Sequence, residues 1–185
     1  MEIQISVRRL VEFILRSGDI DNRKRAGTEN AMLEGSRIHR MIQKSMGAEY
    51  TAEVSLSHKI VVGEYTIVID GRADGIMNDS LITVDEIKGT YRKLDKMNEP
   101  VPIHLAQAKC YAYIYATQNN IDRIRVRMTY CNIETEEIRY FYETYQYEAL
   151  SDWFTEVISK YMKWTDFHYS WVEKRQSSIK KLEFP

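Results

Sequence analysis

The fold of this chain is decided by residues 53–88, EVSLSHKIVVGEYTIVIDGRADGIMNDSLITVDEIK. Three parts of this stretch are short, rich in Val, Ile and Thr, and separated by turn residues; they are 53–62, 65–72 and 81–88, with Gly63-Glu64 and Asn78-Asp79 between them. Such runs predict strands, so we expect three sequential strands in a meander. Glu86 and Lys88 are two residues apart on the third strand, which directs them to one face.

The rest of the chain is expected to surround this meander with helices and two more strands. Apolar residues at helical spacing predict helices over 3–16, 29–44, 103–117 and 147–171, and alternating residues predict strands over 123–131 and 136–144. This order is typical of an α/β domain built on a mixed central sheet of about five strands flanked by helices. We expect one domain over 1–185, with N-terminal helices in 1–47, a core in 48–145, and a long helix and tail in 146–185.

Charge, cysteine content and the N-terminal sequence each argue against particular classes of protein. The chain has 26 basic and 27 acidic residues, so its net charge of −1 gives no global signature of nucleic-acid binding, and any DNA-binding surface must be local. Cys110 and Cys131 are too few for a disulfide framework and lack zinc-finger spacing. The N-terminus has neither the long apolar run of a membrane span nor a signal-peptide cleavage site. We therefore expect a cytoplasmic protein with no membrane partner.

The meander also brings together residues suited to phosphodiester hydrolysis. This reaction uses a divalent metal ion, and Mg²⁺ prefers oxygen ligands, so carboxylates should converge on one point. Asp74 and Glu86 lie on opposite sides of a hairpin, which can bring them close together. Lys88, on the same face as Glu86, would supply a cation that orients the attacking water or stabilises developing negative charge.

Other interpretations of these acids remain open on the residues alone. An acid followed two residues later by lysine is common on solvated strands. Asp70 competes with Asp74 for the metal, because it lies on the same strand with the same parity. Asp85 should face away from Glu86 and is expected to be structural. Glu53 could equally be a charge at the edge of a strand.

Three motifs in order resemble the RecB-like branch of the PD-(D/E)xK nuclease superfamily. The string IDGRADGIMNDSLITVDEIKG, residues 69–89, is similar to the superfamily signature, with Asp74, Glu86 and Lys88 at its three positions. Upstream, GSRIHRMIQK resembles the G-x-x-x-H helix of the family and contains His39. Downstream, AQAKCYAYIYA resembles its Q-x-x-x-Y motif. The resemblance spans residues 35–111 and implies a restriction-endonuclease-like fold.

The resemblance also implies a role for each matching residue. It makes His39, Asp74, Glu86 and the backbone carbonyl of Ile87 ligands of Mg²⁺ or Mn²⁺, and it makes Lys88 the residue that assists water attack. Gln107 and Tyr111 would support the lysine and contact the DNA strand, although both could instead serve the packing of an aromatic helix. Glu53 occupies the acidic position that precedes the central hairpin in the family.

Function follows as an expectation from this resemblance. We expect a metal-dependent DNA nuclease, an exonuclease acting in DNA repair or recombination, whose partner is single-stranded DNA or duplex ends. Two unpaired cysteines cannot hold the iron-sulfur cluster of some relatives, so no cluster is expected. The alternatives are a catalytically inactive nuclease-like domain that binds DNA or docks a partner, and an unrelated binding protein whose motif matches are chance.

Two further expectations concern partners. The tail SSIKKLEFP resembles the segment leading into the core of DinG and XPD-type helicases, so the chain is expected to be the N-terminal nuclease domain of such a helicase, in the same polypeptide. Local basic clusters are expected to hold DNA phosphates. They are Arg23, Lys24 and Arg25; Arg37 and Arg40; and Arg92, Lys93 and Lys96.

Overall fold

The central sheet has six strands and is mixed. The sequence predicts a mixed sheet flanked by helices. A computed structural model describes residues 1–15 and 28–180. The strands are β1 (Glu2–Ser6), β2 (Tyr50–Val62), β3 (Tyr65–Met77), β4 (Thr83–Thr90), β5 (Arg123–Asn132) and β6 (Ile138–Gln146). The helices are α1 (Val7–Ile14), α2 (Thr28–Ser45), α3 (Pro102–Asn119) and α4 (Tyr147–Lys180), with a short 3-10 turn at Leu94–Lys96.

The N-terminal segment corrects one expectation. The helix predicted over 3–16 is wrong at its start, because β1 occupies Glu2–Ser6 and lies parallel to β3, with Ile3 beside Ile67. Ser6 ends the strand and caps the helix, since its side-chain oxygen accepts a hydrogen bond from the Arg9 amide at 3.3 Å. This strand raises the expected number of about five strands to six. The last helix also runs to Lys180, past the predicted end at 171.

Helices cover both faces of the sheet. The larger core packs α1, α3 and α4 against one face, with Leu10, Ile114 and Phe154 almost completely buried. On the other face, Ile38 and Ile42 of α2 pack on Ile87 of β4 in a smaller cluster. Because β4 is covered on both sides, its residues Thr83–Ile87 are all buried.

β3 is the strand at which the sheet divides. β2 runs antiparallel along one edge of β3 from Tyr65 to Met77. Two different strands share the other edge: β1 pairs with residues 66–70, and β4 pairs with residues 75–77. Among the strands that the structure describes, none pairs with residues 71–74 on that edge. This gap, which we call the fork, opens the sheet at Asp74.

Of the residues considered above, Arg23, Lys24 and Arg25 lie outside the described part of the chain, as do 181–185 at the end of the tail. Within the described part, no helix is both long and apolar enough to cross a membrane.

Candidate active site

Three acidic residues lie at one level of the sheet, on β2, β3 and β4. The pairs Ala52↔Gly75 and Val54↔Ala73 flank Glu53 and Asp74, so these two residues face each other across β2 and β3. On the other side, the pair Gly75↔Asp85 brings the position of Glu86 next to Asp74. Neighbouring strands are about 4.8 Å apart, so strand register brings the backbones of these three residues to the fork.

The side chain of Asp74 crosses the fork and contacts the backbone of β4. Its Oδ2 accepts a hydrogen bond from the Ile87 amide at 2.7 Å, so the side chain replaces a missing bond of the β ladder. An extended residue points its amide and its carbonyl to the same edge, so the Ile87 carbonyl, predicted to be a metal ligand, is directed to this side of β4. The other carboxylate oxygen, Oδ1, lies 3.3 Å from Nδ1 of His39 on α2.

His39, Glu53 and Asp74 form a group with the donor atoms that a divalent cation requires. One ligand atom from each lies within 4.8 Å of the others, and the predicted ligand Glu86 is not part of this group. Glu53 is held there in a left-handed backbone conformation, with φ 58°, which is costly for a residue with a side chain. Gln43 of α2 fastens the group, because its amide donates both to Glu53 Oε1 and to the Asp74 carbonyl at 2.9 Å.

Asp74 also raises the pKa of His39. Burial lowers the pKa of His39, but the hydrogen bond and the negative charge of Asp74 outweigh burial and hold this pKa above its usual value. A metal ion binds neutral imidazole, so a metal ion and a proton would compete for His39.

Glu86 is 1% exposed and lies beside Lys88, whose Nζ donates to Glu86 Oε1 at 2.5 Å. The other oxygen, Oε2, is buried and has no hydrogen-bond partner among the described residues. Burial, followed by the nearby charge of Asp74, raises the pKa of Glu86 to about 8. A buried carboxylate oxygen without a partner is costly unless a cation or a proton satisfies it, so this donor set fits a divalent metal ion.

The predicted pair on α3 lines the same opening. The Tyr111 ring closes over Gly71 at the fork, where an added Cβ would lie 2.8 Å from the Tyr111 ring. Gln107 Nε2 donates to the Tyr111 hydroxyl at 3.4 Å. Burial, and then the charge of Glu86, raises the pKa of Tyr111 to about 12, so its hydroxyl stays protonated and able to donate.

Asp70, which competes with Asp74 for the metal on sequence grounds, and Asp85, which is expected to be structural, both have other partners. Asp70 accepts a hydrogen bond from Gln4 Nε2 at 2.8 Å and is not part of the group of His39, Glu53 and Asp74. Asp85 is completely buried and paired with Arg127, whose Nη2 lies 2.7 Å from Asp85 Oδ2. It also accepts from the hydroxyls of Tyr50 and Thr129, so Asp85 ties β4 to β2 and β5.

The basic clusters differ in how free their charges are. Arg37 is engaged by Glu34 at 2.9 Å and by Glu136 at 2.5 Å, which leaves it less available to a phosphate. Arg92, Lys93 and Lys96 line a surface cavity of about 350 Å³.

Besides Gln43, sequence reasoning missed two other residues near the fork. Arg8 of α1 is 75% exposed and pairs with Glu12 at 2.8 Å. Its pKa is raised, first by this pair and also by Glu86 and Tyr111. The other residue is His104, which lies on the same face of α3 as Gln107 and Tyr111. The spacing 104, 107 and 111 is a helical stripe, and this signal was available in the sequence.

Comparison with known proteins concerns the fold. No protein-family model matches the sequence, and no curated protein matches it. The structure is similar to the alkaline exonuclease LHK-Exo from Laribacter hongkongensis, with a TM-score of 0.56 and 11% identity over 95% of this chain and 94% of that one. The same exonuclease in complex with dAMP gives a TM-score of 0.56 and 13% identity over the same shares. The crystal structure of SSO0001 gives 0.54 and 18%, over 84% of this chain and 75% of that one. The restriction-endonuclease-like mixed sheet expected from the sequence is thereby confirmed, and this chain shares its fold with an exonuclease.

Proposed function

We propose that this chain is a metal-dependent DNA nuclease that hydrolyses phosphodiester bonds with Mg²⁺ or Mn²⁺ at the fork. One observation carries the proposal. Glu86 Oε2 is buried and has no hydrogen-bond partner among the described residues, and the charge of Asp74 acts on Glu86. Asp74 itself forms the group with His39 and Glu53. A structural acid at such a position would be expected to have a hydrogen-bond partner on each carboxylate oxygen, as Asp85 has, whereas Glu86 has one only on Oε1 among the described residues.

Each side chain around the fork would have a distinct role in the reaction. His39, Glu53, Asp74 and Glu86, with the Ile87 carbonyl, would hold the ion, which when bound neutralises phosphate charge and lowers the pKa of water. Lys88 is held by Glu86 and would donate from Nζ to the attacking water or to a phosphate oxygen that gains charge. Gln107 and Tyr111 would orient the strand from α3.

We further propose that the enzyme is an exonuclease of DNA repair or recombination, working as one module of a helicase-nuclease. The likeness in fold to an exonuclease supports the first part. The resemblance of the tail to the segment before a helicase core supports the second.

The test is a time course on end-labelled single- and double-stranded DNA in Mg²⁺, Mn²⁺ or EDTA. We expect cleavage with either metal and none in EDTA. Lys88→Ala should reduce turnover by a factor of about 100 or more, the usual effect of losing one donor to developing charge. The matched control is Lys59→Ala, because Lys59 pairs with Glu2 on β1 and should be silent. Asp74→Asn should abolish turnover, whereas Asp70→Asn should not.

Two outcomes contradict the proposal. Unchanged turnover in Lys88→Ala would contradict the proposed role of Lys88 in catalysis. DNA retention without turnover in any metal would instead support the inactive DNA-binding domain.

A further inference from the structure

His104 lies beside Lys88, although nothing in the three motifs points to it. Lys88 of β4 and Tyr130 of β5 are register partners in the parallel ladder. Nδ1 of His104 lies 3.1 Å from the Tyr130 hydroxyl. The helix therefore places His104 over the strand next to Lys88, one turn from Gln107 and on the same face.

The Tyr130 hydroxyl determines which nitrogen of His104 carries the proton. Its oxygen accepts a hydrogen bond from the Val101 amide at 3.0 Å. Tyr130 is 1% exposed, so its hydroxyl hydrogen needs an acceptor within the protein, and His104 Nδ1 is in place to accept it. The ring must then carry its own hydrogen on Nε2.

The electrostatic surroundings keep the ring neutral. Burial lowers the pKa of His104 to about 4, and the positive charges of Lys88, Arg8 and Arg92 act in the same direction. At neutral pH the ring therefore presents a single donor, Nε2–H, and this donor has no acceptor among the residues that the structure describes. Positive charges around an unused donor favour an anionic acceptor.

We propose that His104 binds a phosphate oxygen of the DNA strand through Nε2–H, next to Lys88 in the active-site opening. The substrate class rests on the proposed nuclease function; the tautomer and the unused donor rest on the contacts of His104 and Tyr130. His104 would hold the phosphate without taking part in proton transfer, because both of its nitrogens keep their hydrogen-bonding roles throughout.

The first experiment measures binding rather than cleavage. The affinity for a fluorescent single-stranded oligonucleotide is measured in EDTA for the wild type, His104→Phe and His104→Gln. Loss of a hydrogen bond to a charged group is expected to weaken binding of His104→Phe about tenfold. His104→Gln should bind nearly as the wild type, because an amide can accept from Tyr130 and donate to a phosphate.

The chain offers a matched control in His58. This half-buried histidine packs edge-on against Tyr113 and Phe154, with ring centroids 5.4 and 5.9 Å apart. His58→Phe should leave the affinity unchanged. Equal losses in His58→Phe and His104→Phe would show a general effect of replacing a histidine and would overturn the inference.

A second readout needs neither a variant nor turnover. Nitrogen-15 NMR of the wild type should show His104 as the Nε2–H tautomer, and its Nε2 resonance should shift when the oligonucleotide is added. A proton on Nδ1, or an unmoved resonance at saturation, would overturn the inference even if His104→Phe fails to fold. DNA bound through His104 without any cleavage would instead refute the nuclease function and leave this inference standing.

Discussion

Replacing Glu86 with glutamine should stabilise the metal-free protein at high pH. The substitution keeps the size of the side chain but removes a carboxylate that is 1% exposed and has one unpartnered oxygen. The amide oxygen can still accept from Lys88. An increase in stability after mutation of a candidate metal ligand would show that the site is electrostatically strained when no cation is bound.

The magnitude follows from the pKa of Glu86, which rises from 4.5 to about 8 because of burial and then the charge of Asp74. A group whose pKa is raised by folding stabilises the folded state while protonated. This contribution is fully present below pH 4.5 and is lost as the pH rises through 8. The whole shift corresponds to about 5 kcal/mol, an upper limit because water can enter the fork.

We therefore expect Glu86→Gln to be more stable than the wild type by about 2 to 5 kcal/mol at pH 8.5, and nearly equal to it at pH 5. The assay is urea unfolding in EDTA at both pH values, with Asp70→Asn as the control acid. Adding Mn²⁺ at pH 8.5 should stabilise the wild type and have little effect on Glu86→Gln. If Glu86→Gln were less stable than the wild type at pH 8.5, or differed from it equally at both pH values, the reasoning would be refuted.

Two further predictions concern the neighbours of this site. Asp85→Ala should destabilise the fold by about 3 to 5 kcal/mol, because it leaves the buried Arg127 without its partner; a loss below about 1 kcal/mol in urea unfolding would contradict this reading of the pair. Glu53→Gly should change stability by less than about 1 kcal/mol, because relief of the left-handed backbone at φ 58° is offset by loss of the contacts with Gln43 and Arg72. It should lower Mn²⁺ affinity in calorimetry. Unchanged Mn²⁺ affinity would show that Glu53 is not a metal ligand.

Local patterns in the sequence predicted most of the architecture. The Val-rich and Ile-rich runs predicted the meander, and helical spacing predicted α2 and α3 to within a few residues. The prediction failed at β1, because a strand of five residues leads directly into a helix. Ile3 and Ile5 alternate with a period of two, but they also continue the apolar spacing of Val7 and Leu10. Only pairing with β3, more than 60 residues away, makes this segment a strand.

The sequence by itself determined which chemical groups are available and which of them share one strand or one helix face. Lys88 follows Glu86 by two residues, and a strand directs such residues to the same side. Only the tertiary structure decided how close these groups lie to one another, how deeply they are buried and which hydrogen bonds they make. Register across β2, β3 and β4 places Glu53, Asp74 and Glu86 at one level, and packing buries Glu86 without satisfying Oε2. Spacing along the chain is a local property, whereas distance between strands, burial and hydrogen-bond partners depend on contacts that form only when distant segments pack together.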